Sequence, residues 1–552
     1  PFPIQAPHFV FFAQEELKLL PLSHQTGTLH VYTTIDLDLQ REAEEIIHRH
    51  LGRLAQEKPP HNVNNAALVA IDPATGEILT MVGNPDFFDP SISGAVNMAL
   101  VPRQPGSAFK PITYAVALSK GYTPATMLLD VPTTFLTAEG KPYTPVNYDR
   151  KYHGPVSLRE ALGSSLNVPA VRVLHEVGVD EVLSLAKDLG ITTLKDAERY
   201  GLSLTLGGGE VPLLELTAAY AAFANGGFRV TPFAIMRVEN SMGQVLWENK
   251  PRIGPRVLDE KVAYLITHIL ADNEARILGF GWGSPLRLSR PAAAKTGTTT
   301  DWRDNWTVGY TPRLVAGVWV GNADHSPMYE VTGITGAAPI WHDFMERAHR
   351  GLTPQDFPRP QGIIEVEVCS LSGKLPSPYC PHRRKELFIA GTEPTETCPL
   401  HRLMRLDLIT GLPASPSTPP ERVVEKVVTI FPPEAQAWAR EQGFPVFPPE
   451  MTWEEPLVII NPRPNSRYRL VSSVPREEQK AEIFVEAAFP LERVEVIIDG
   501  ITVALMDNPP YRFMWALQEG KHKLWVLGYS GGKVFKSREV EFEVIPPLPQ
   551  KP

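Results

Sequence analysis

Three short polar motifs follow one another in fixed order along the chain: Ser107-Ala-Phe-Lys110, Ser165-Leu-Asn167 and Lys295-Thr-Gly-Thr298. Singly each is common, and each has a purely structural alternative. Ser107 could cap a helix with Lys110 in solvent, Ser165 or Asn167 could cap the segment Val168-Pro-Ala-Val-Arg172, and Lys295 to Thr298 could be an ordinary turn. Together they describe one acyl-transfer site. A helical turn sets Ser107 and Lys110 on the same face, within reach of each other. A serine is a poor nucleophile until an adjacent base takes its proton. A lysine kept from water or beside another cation loses its charge readily enough to be that base. Ser165 then reads as a proton relay between Lys110 and a leaving amine, and Asn167 as a holder of the substrate amide. On an edge strand, Gly297 lets a substrate backbone come close, Thr296 and Thr298 offer hydroxyls, and Lys295 supplies positive potential for a terminal carboxylate. The backbone N–H groups of Ser107 and Thr298 are the expected oxyanion hole. This chemistry calls for no cofactor.

Elements must bring these motifs together. Asp36 caps an expected helix over Leu37 to Leu54, with Leu39, Ala43, Ile46, Ile47, Leu51 and Leu54 on one face. A hairpin follows, Ala66 to Asp72 and Glu77 to Gly83 around Pro73-Ala-Thr-Gly76. From about Phe109 to Gly281 the pattern is mostly helical, and the Ala-rich stretch Thr217 to Ala224 stops at Asn225-Gly-Gly227. Strand patterns return at Asn305 to Tyr310 and Leu314 to Val320. The implied sheet is built from both ends of a domain, with a helical block inserted between.

The chain has 552 residues, too many for a single core. Hydrophobic residues at 43% and charged residues at 21% mark ordinary globular material. A net charge of −9 argues against nucleic acid as the main partner, because phosphate binding needs a basic face. No stretch approaches the roughly twenty apolar residues that span a bilayer. The start, Pro1 to Val10, lacks Met and a basic leader, so a fragment is expected whose anchor lay upstream.

Beyond Gly351, prolines at 354, 358, 360, 413, 416, 419 and 420 mark an irregular connecting region. Within it sit Cys369, Cys380 and Cys398, with His382 and His401 close to two of the thiols. Three readings stand: a disulfide with one thiol left over, three free thiols, or a structural zinc site through Cys380, His382, Cys398 and His401. The disulfide is favoured because the ligand spacing fits no standard finger. The last block, Pro456 to Val544, alternates with period two and carries turns at Asp499-Gly500 and Gly531-Gly532, which reads as an Ig-like β-sandwich. Tyr511, Phe513, Trp515 and Trp525 are read mainly as its core.

Arg103-Gln-Pro-Gly-Ser-Ala-Phe-Lys-Pro111 resembles the nucleophile segment of class A penicillin-binding proteins. Val31 to Gln40, Leu206-Gly-Gly-Gly-Glu-Val211 and Ala218 to Gly227 are similar to that family's transpeptidase domain. The tail, with Cys369-Ser-Leu-Ser-Gly-Lys-Leu-Pro376, resembles the 1C branch. The resemblance implies an α/β (α+β) penicilloyl-serine transferase fold, an antiparallel sheet flanked by helices with a helical subdomain. It implies a D-Ala-D-Ala transpeptidase that cross-links peptidoglycan stem peptides with an amine acceptor, is blocked by β-lactams, and works on the extracytoplasmic side of the bacterial inner membrane beside other cell-wall synthesis proteins. Nothing matches the family's glycosyltransferase domain. The expected order is a linker remnant over 1–30, the transpeptidase domain over 31–350, the connecting region over 351–455 and the sandwich over 456–546. A D,D-carboxypeptidase stays open, as does a non-catalytic β-lactam sensor or scaffold. A β-lactamase is disfavoured because Asp196-Ala-Glu198-Arg-Tyr200 lacks the Glu/Asn pattern of a deacylating base.

Overall fold

A computed structural model describes residues 4–22, 27–137, 140–195, 199–250, 254–409, 411, 413–414, 418–447, 457–472, 474–487, 491–530 and 533–547. The stretch around Glu198, Pro416, the Gly531-Gly532 turn and Pro456 fall wholly or partly outside them. The chain divides into two compact units, 1–375 with 382–396, and 376–381 with 397–552.

The first unit is organised on a five-stranded antiparallel sheet in the order Ala293–Thr298, Asp304–Tyr310, Val315–Gly321, Asn65–Ile71, Ile78–Val82. Its strands come from both ends of the domain, as the hydrophobic runs imply. The three central strands are buried at every position, so both faces are covered. One face packs the helices Leu37–Gln56 and Ala337–Ala348. Asp36 does cap the first of these, its carboxylate accepting from the amides of Asp38 at 3.0 Å and Leu39 at 3.1 Å. The other face meets the helical block, including Lys110–Ser119, Asn167–Val177 and Leu213–Ala224.

That block is less purely helical than its sequence pattern. Short antiparallel pairs interrupt it, Met127–Asp130 with Gly154–Ser157 and Ile235–Asn240 with Val245–Glu248. Their few residues are too short for a periodicity to register. The segment expected as a linker also carries a helix, Pro7–Leu19, whose Phe9 is buried in the main core.

The proline-marked region is likewise more ordered than its composition suggests. Ile363–Cys369 pairs with Arg383–Ile389, and both belong to the first unit. Ile363 and Leu387 join its main core, while Val368 and Phe388 bury Ala125.

In the second unit His401–Asp407 pairs with Val423–Thr429, and a β-sandwich follows. One sheet runs Leu457–Asn461, Lys480–Ala487, Tyr511–Ala516; the other contains Ser466–Arg469, Val540–Ile545, Gly520–Ser530, Arg493–Ile498 and Ile501–Met506. Their inner faces share one apolar core. Tyr511 and Trp515 lie within it and Phe513 against it, while Trp525 is half-buried under the Lys536 ammonium. Asp499 and Gly500, both at positive φ, make the expected two-residue turn.

The cysteine segment departs from the favoured expectation. No disulfide joins any two of the three cysteines, all of which are buried. His382 does not join the ligand atoms that gather there, whereas Cys380, Cys398 and His401 do.

Candidate active site

The three motifs converge at the open edge of the five-stranded sheet. Gly106 to Phe109 form a single 3-10 turn leading into the helix Lys110–Ser119. Gly106 has φ +56°, and a Cβ there would press on the backbone N, C and O of Thr298. Gly297 is matched to it, since a Cβ would strike the Pro105 carbonyl oxygen. Two backbones therefore touch where side chains are absent, which sets half-buried Ser107 beside the strand carrying Lys295. The Thr299 amide donates inward to Asp304 O at 3.1 Å. By the period-two alternation of a strand, the Thr298 N–H points to the free edge, near the serine turn.

Lys110 is fully buried. Its Nζ donates to the carbonyls of Ser165 at 2.6 Å and Leu166 at 3.0 Å and to Asn167 Oδ1 at 2.8 Å, and stands 3.4 Å from Ser165 Oγ. On the other side of that hydroxyl, Lys295 Nζ lies 2.7 Å away and also donates to the Thr296 carbonyl at 2.9 Å. Ser165 thus bridges two lysines. Burial, then the nearby Lys295 charge, push the Lys110 amine well below its ordinary range, although Asp130 opposes this. Burial, then the Arg276 guanidinium, bring Lys295 down to about 7. Burial thus favours the neutral form of both amines, which for Lys110 is the form a general base needs.

Ser165 is held at φ +62°, a left-handed conformation that costs a non-glycine residue about 1–2 kcal/mol. Asn167 starts the helix Asn167–Val177, whose N-cap Leu166 has no side chain able to cap. Asn147 does this from another part of the chain, its Oδ1 accepting from the Asn167 amide at 2.7 Å. Buried Asp130 sets that orientation by accepting from Asn147 Nδ2 at 2.8 Å on both oxygens. His153 Nδ1 lies 2.7 Å from the same carboxylate, and that contact raises the histidine above its ordinary range. The Asn167 side chain donates through Nδ2 to Val146 O at 2.8 Å.

On the strand, Thr298 Oγ1 accepts from the Gly333 amide at 2.9 Å, which leaves its own hydroxyl hydrogen to donate. Thr296 is buried one pleat earlier. Ser107, Lys110, Ser165, Asn167, Lys295, Thr296, Gly297 and Thr298 therefore occupy one locality. The sequence reading missed Asp130, Asn147, His153 and Arg276, which belong to no short motif and lie tens of residues from the groups they orient. The strong turn signals around Asn147 and the buried charge of Arg276, 1% exposed, are traces visible only once the fold is known.

A half-buried serine turn, two desolvated lysines bridged by a second serine hydroxyl and an open strand edge thus share one locality. Residues 66–346 match the family model described as penicillin binding protein transpeptidase domain, and residues 359–403 match that of the penicillin-binding protein 1A C-terminal domain. The chain belongs to the penicillin-binding protein transpeptidase family, with class A proteins as its relatives. Penicillin-binding protein 2D of Bacillus subtilis is 35% identical over 405 residues, 71% of this chain and 56% of that one. Penicillin-binding protein 1A of Aquifex aeolicus is 36% identical over 337 residues, covering 60% of this chain and 44% of its own length. The chain thus spans about half the length of these relatives. Among solved structures, penicillin-binding protein 1A from Haemophilus influenzae shares the fold with a TM-score of 0.62, 24% identity, and coverage of 72% of this chain and 78% of that one. The PonA1 protein from Mycobacterium tuberculosis in complex with penicillin V gives 0.55 at 25% identity, covering 65% and 97%.

Proposed function

We propose that this chain is a peptidoglycan D,D-transpeptidase that works through an acyl-serine and is trapped by β-lactams. The observation carrying the proposal is the Ser165 hydroxyl lying between two buried amines, at 3.4 Å from Lys110 and 2.7 Å from Lys295, beside the Ser107 turn. Ser107 Oγ attacks the carbonyl of a D-Ala-D-Ala terminus while Lys110 takes its proton. The oxyanion accepts from the N–H groups of Ser107 and Thr298. The C–N bond then breaks, and the proton passes from Lys110 through Ser165 to the departing D-Ala amine. An acceptor amine reverses these steps, forming the cross-link and freeing Ser107. Asn167 aligns the donor amide, Gly297 admits its backbone along the strand edge, and Lys295 with Thr296 and Thr298 holds the terminal carboxylate. Such a substrate puts the site on the extracytoplasmic side of a bacterial inner membrane. Among the described residues no helix is long and apolar enough to cross a membrane.

Ser107→Ala should abolish covalent labelling by fluorescent penicillin while leaving the melting temperature near that of the parent chain. Labelling of a single site that persists in this variant overturns the assignment. With a stem-peptide donor and an amine acceptor, mass spectrometry should find cross-linked product alongside released D-Ala. Hydrolysed donor alone would make the chain a carboxypeptidase, and labelling with no turnover would make it a sensor.

A further inference from the structure

The second unit holds a cluster that the acyl-transfer chemistry does not use. Cys380, Cys398 and His401 each offer one ligand atom, and these atoms lie within 4.8 Å of one another. All three are buried, with exposures of 7%, 6% and 5%. Cys398 Sγ is 3.3 Å from His401 Nδ1 across a spacing of three residues. His401 opens the strand His401–Asp407, whose pairing with Val423–Thr429 fixes the backbone that carries the imidazole.

Cys380 is held by a turn. Its amide donates to the Ser377 carbonyl at 3.2 Å, and the Ser377 amide donates back to Cys380 Sγ at 3.2 Å. A backbone N–H aimed at sulfur fixes the direction in which Cys380 Sγ points, as the hydrogen bonds around a metal ligand do. A disulfide would consume two sulfurs and leave the imidazole without a role. Two thiolates and an imidazole converging in a dry site are instead three of the four ligands of tetrahedral zinc. Zinc–sulfur bonds of ~2.3 Å and zinc–nitrogen bonds of ~2.0 Å place ligand atoms roughly 3.5 Å apart, so the cluster can close on an ion with shifts near 1 Å. Sulfur ligands select a zinc-class ion over calcium or magnesium.

We propose that Cys380, Cys398 and His401 bind a structural zinc-class ion that staples the turn 376–381 to the start of the strand at His401. A further donor completes the tetrahedron, and the cobalt spectra below identify its class.

The test uses the full chain purified without chelator. Native mass spectrometry and elemental analysis should find about one zinc per chain. After the metal is stripped, added cobalt(II) should give thiolate-to-cobalt charge transfer and the intense visible bands of a tetrahedral ion. Cys398→Ser and His401→Ala should each lower bound zinc at least tenfold, whereas His382→Ala should retain it. Cys369→Ser reads the fourth ligand: a loss of about a third of the charge-transfer intensity assigns it to sulfur, and unchanged intensity assigns it to another donor. The three-ligand core stands in either case. The wild-type cobalt spectrum decides independently of how well the variants fold. A wild-type chain that carries no metal and gives no tetrahedral cobalt spectrum overturns the proposal. So does a disulfide between any of these cysteines under denaturing mass spectrometry, or Cys398→Ser keeping its zinc.

Discussion

At the scale of residues, the site depends on keeping two amines out of water. Lys110 and Lys295 are both buried and both displaced toward neutrality. The proposed roles require opposite states, Lys110 free of its proton and Lys295 charged. As pH rises, acylation should increase as Lys110 deprotonates. It should then fall once Lys295 loses its charge above about 7. The free enzyme's kcat/KM for a β-lactam should therefore be bell-shaped, its alkaline limb descending about tenfold per pH unit. Lys295→Arg keeps the cation to higher pH and should remove that limb. A wild-type profile that stays flat up to pH ~10 would deny Lys295 its carboxylate-binding charge. The motif residues could be read from sequence because the residues proposed as nucleophile, base and relay each sit in a short, type-specific pattern. Arg276, which helps depress Lys295, could not, since its effect depends on a through-space approach that no spacing encodes.

At the scale of elements, backbone contact rather than side-chain packing fixes Ser107. Gly106 faces the Thr298 backbone and Gly297 faces the Pro105 carbonyl. Gly106→Ala would have to push the turn off the strand and hold alanine at φ +56°. A displacement near 1 Å at a reacting centre costs on the order of a hundredfold in rate, with about 1–2 kcal/mol of stability lost to the left-handed conformation. Stopped-flow acylation and thermal melting on the same sample should show both losses; wild-type acylation by the alanine variant would mean the contact is not what positions Ser107. The long elements were legible because their apolar periods run for several turns, as in Leu37–Gln56, or their strands are wholly apolar, as in Val315–Gly321. The short pair Met127–Asp130 with Gly154–Ser157 was not. Yet it delivers Asp130 to Asn147, and through Asn147 orients the helix that starts at Asn167.

At the scale of the whole molecule, the compact unit that carries the site runs past the boundary drawn from composition. Proline content makes everything after Gly351 look like connector, but the hairpin of Ile363–Cys369 and Arg383–Ile389 is part of the first unit. Its strand carries Glu386, 1% exposed, which takes a bidentate pair from buried Arg159, with Nε at 2.8 Å. Although burial pushes the Glu386 carboxyl upward, hydrogen bonding and charge from Arg159 hold it below the ordinary range. Removing one member of such a pair leaves a buried charge without compensation, a loss of about 3–5 kcal/mol. The sandwich has its own apolar core and contains none of the three motifs. A chain ending at residue 455 should therefore be labelled by penicillin at the parent rate. A chain ending at 350 leaves Arg159 with Asp272 alone as its carboxylate partner and strips Ile363 and Leu387 from the core, so it should be insoluble or melt far lower. Within the full chain, Glu386→Ala should lower the melting temperature strongly, and Glu386→Gln, which keeps the shape and hydrogen bonds, less so. If the 350-residue chain folds and acylates like the parent, the hairpin is dispensable and the boundary drawn from composition stands.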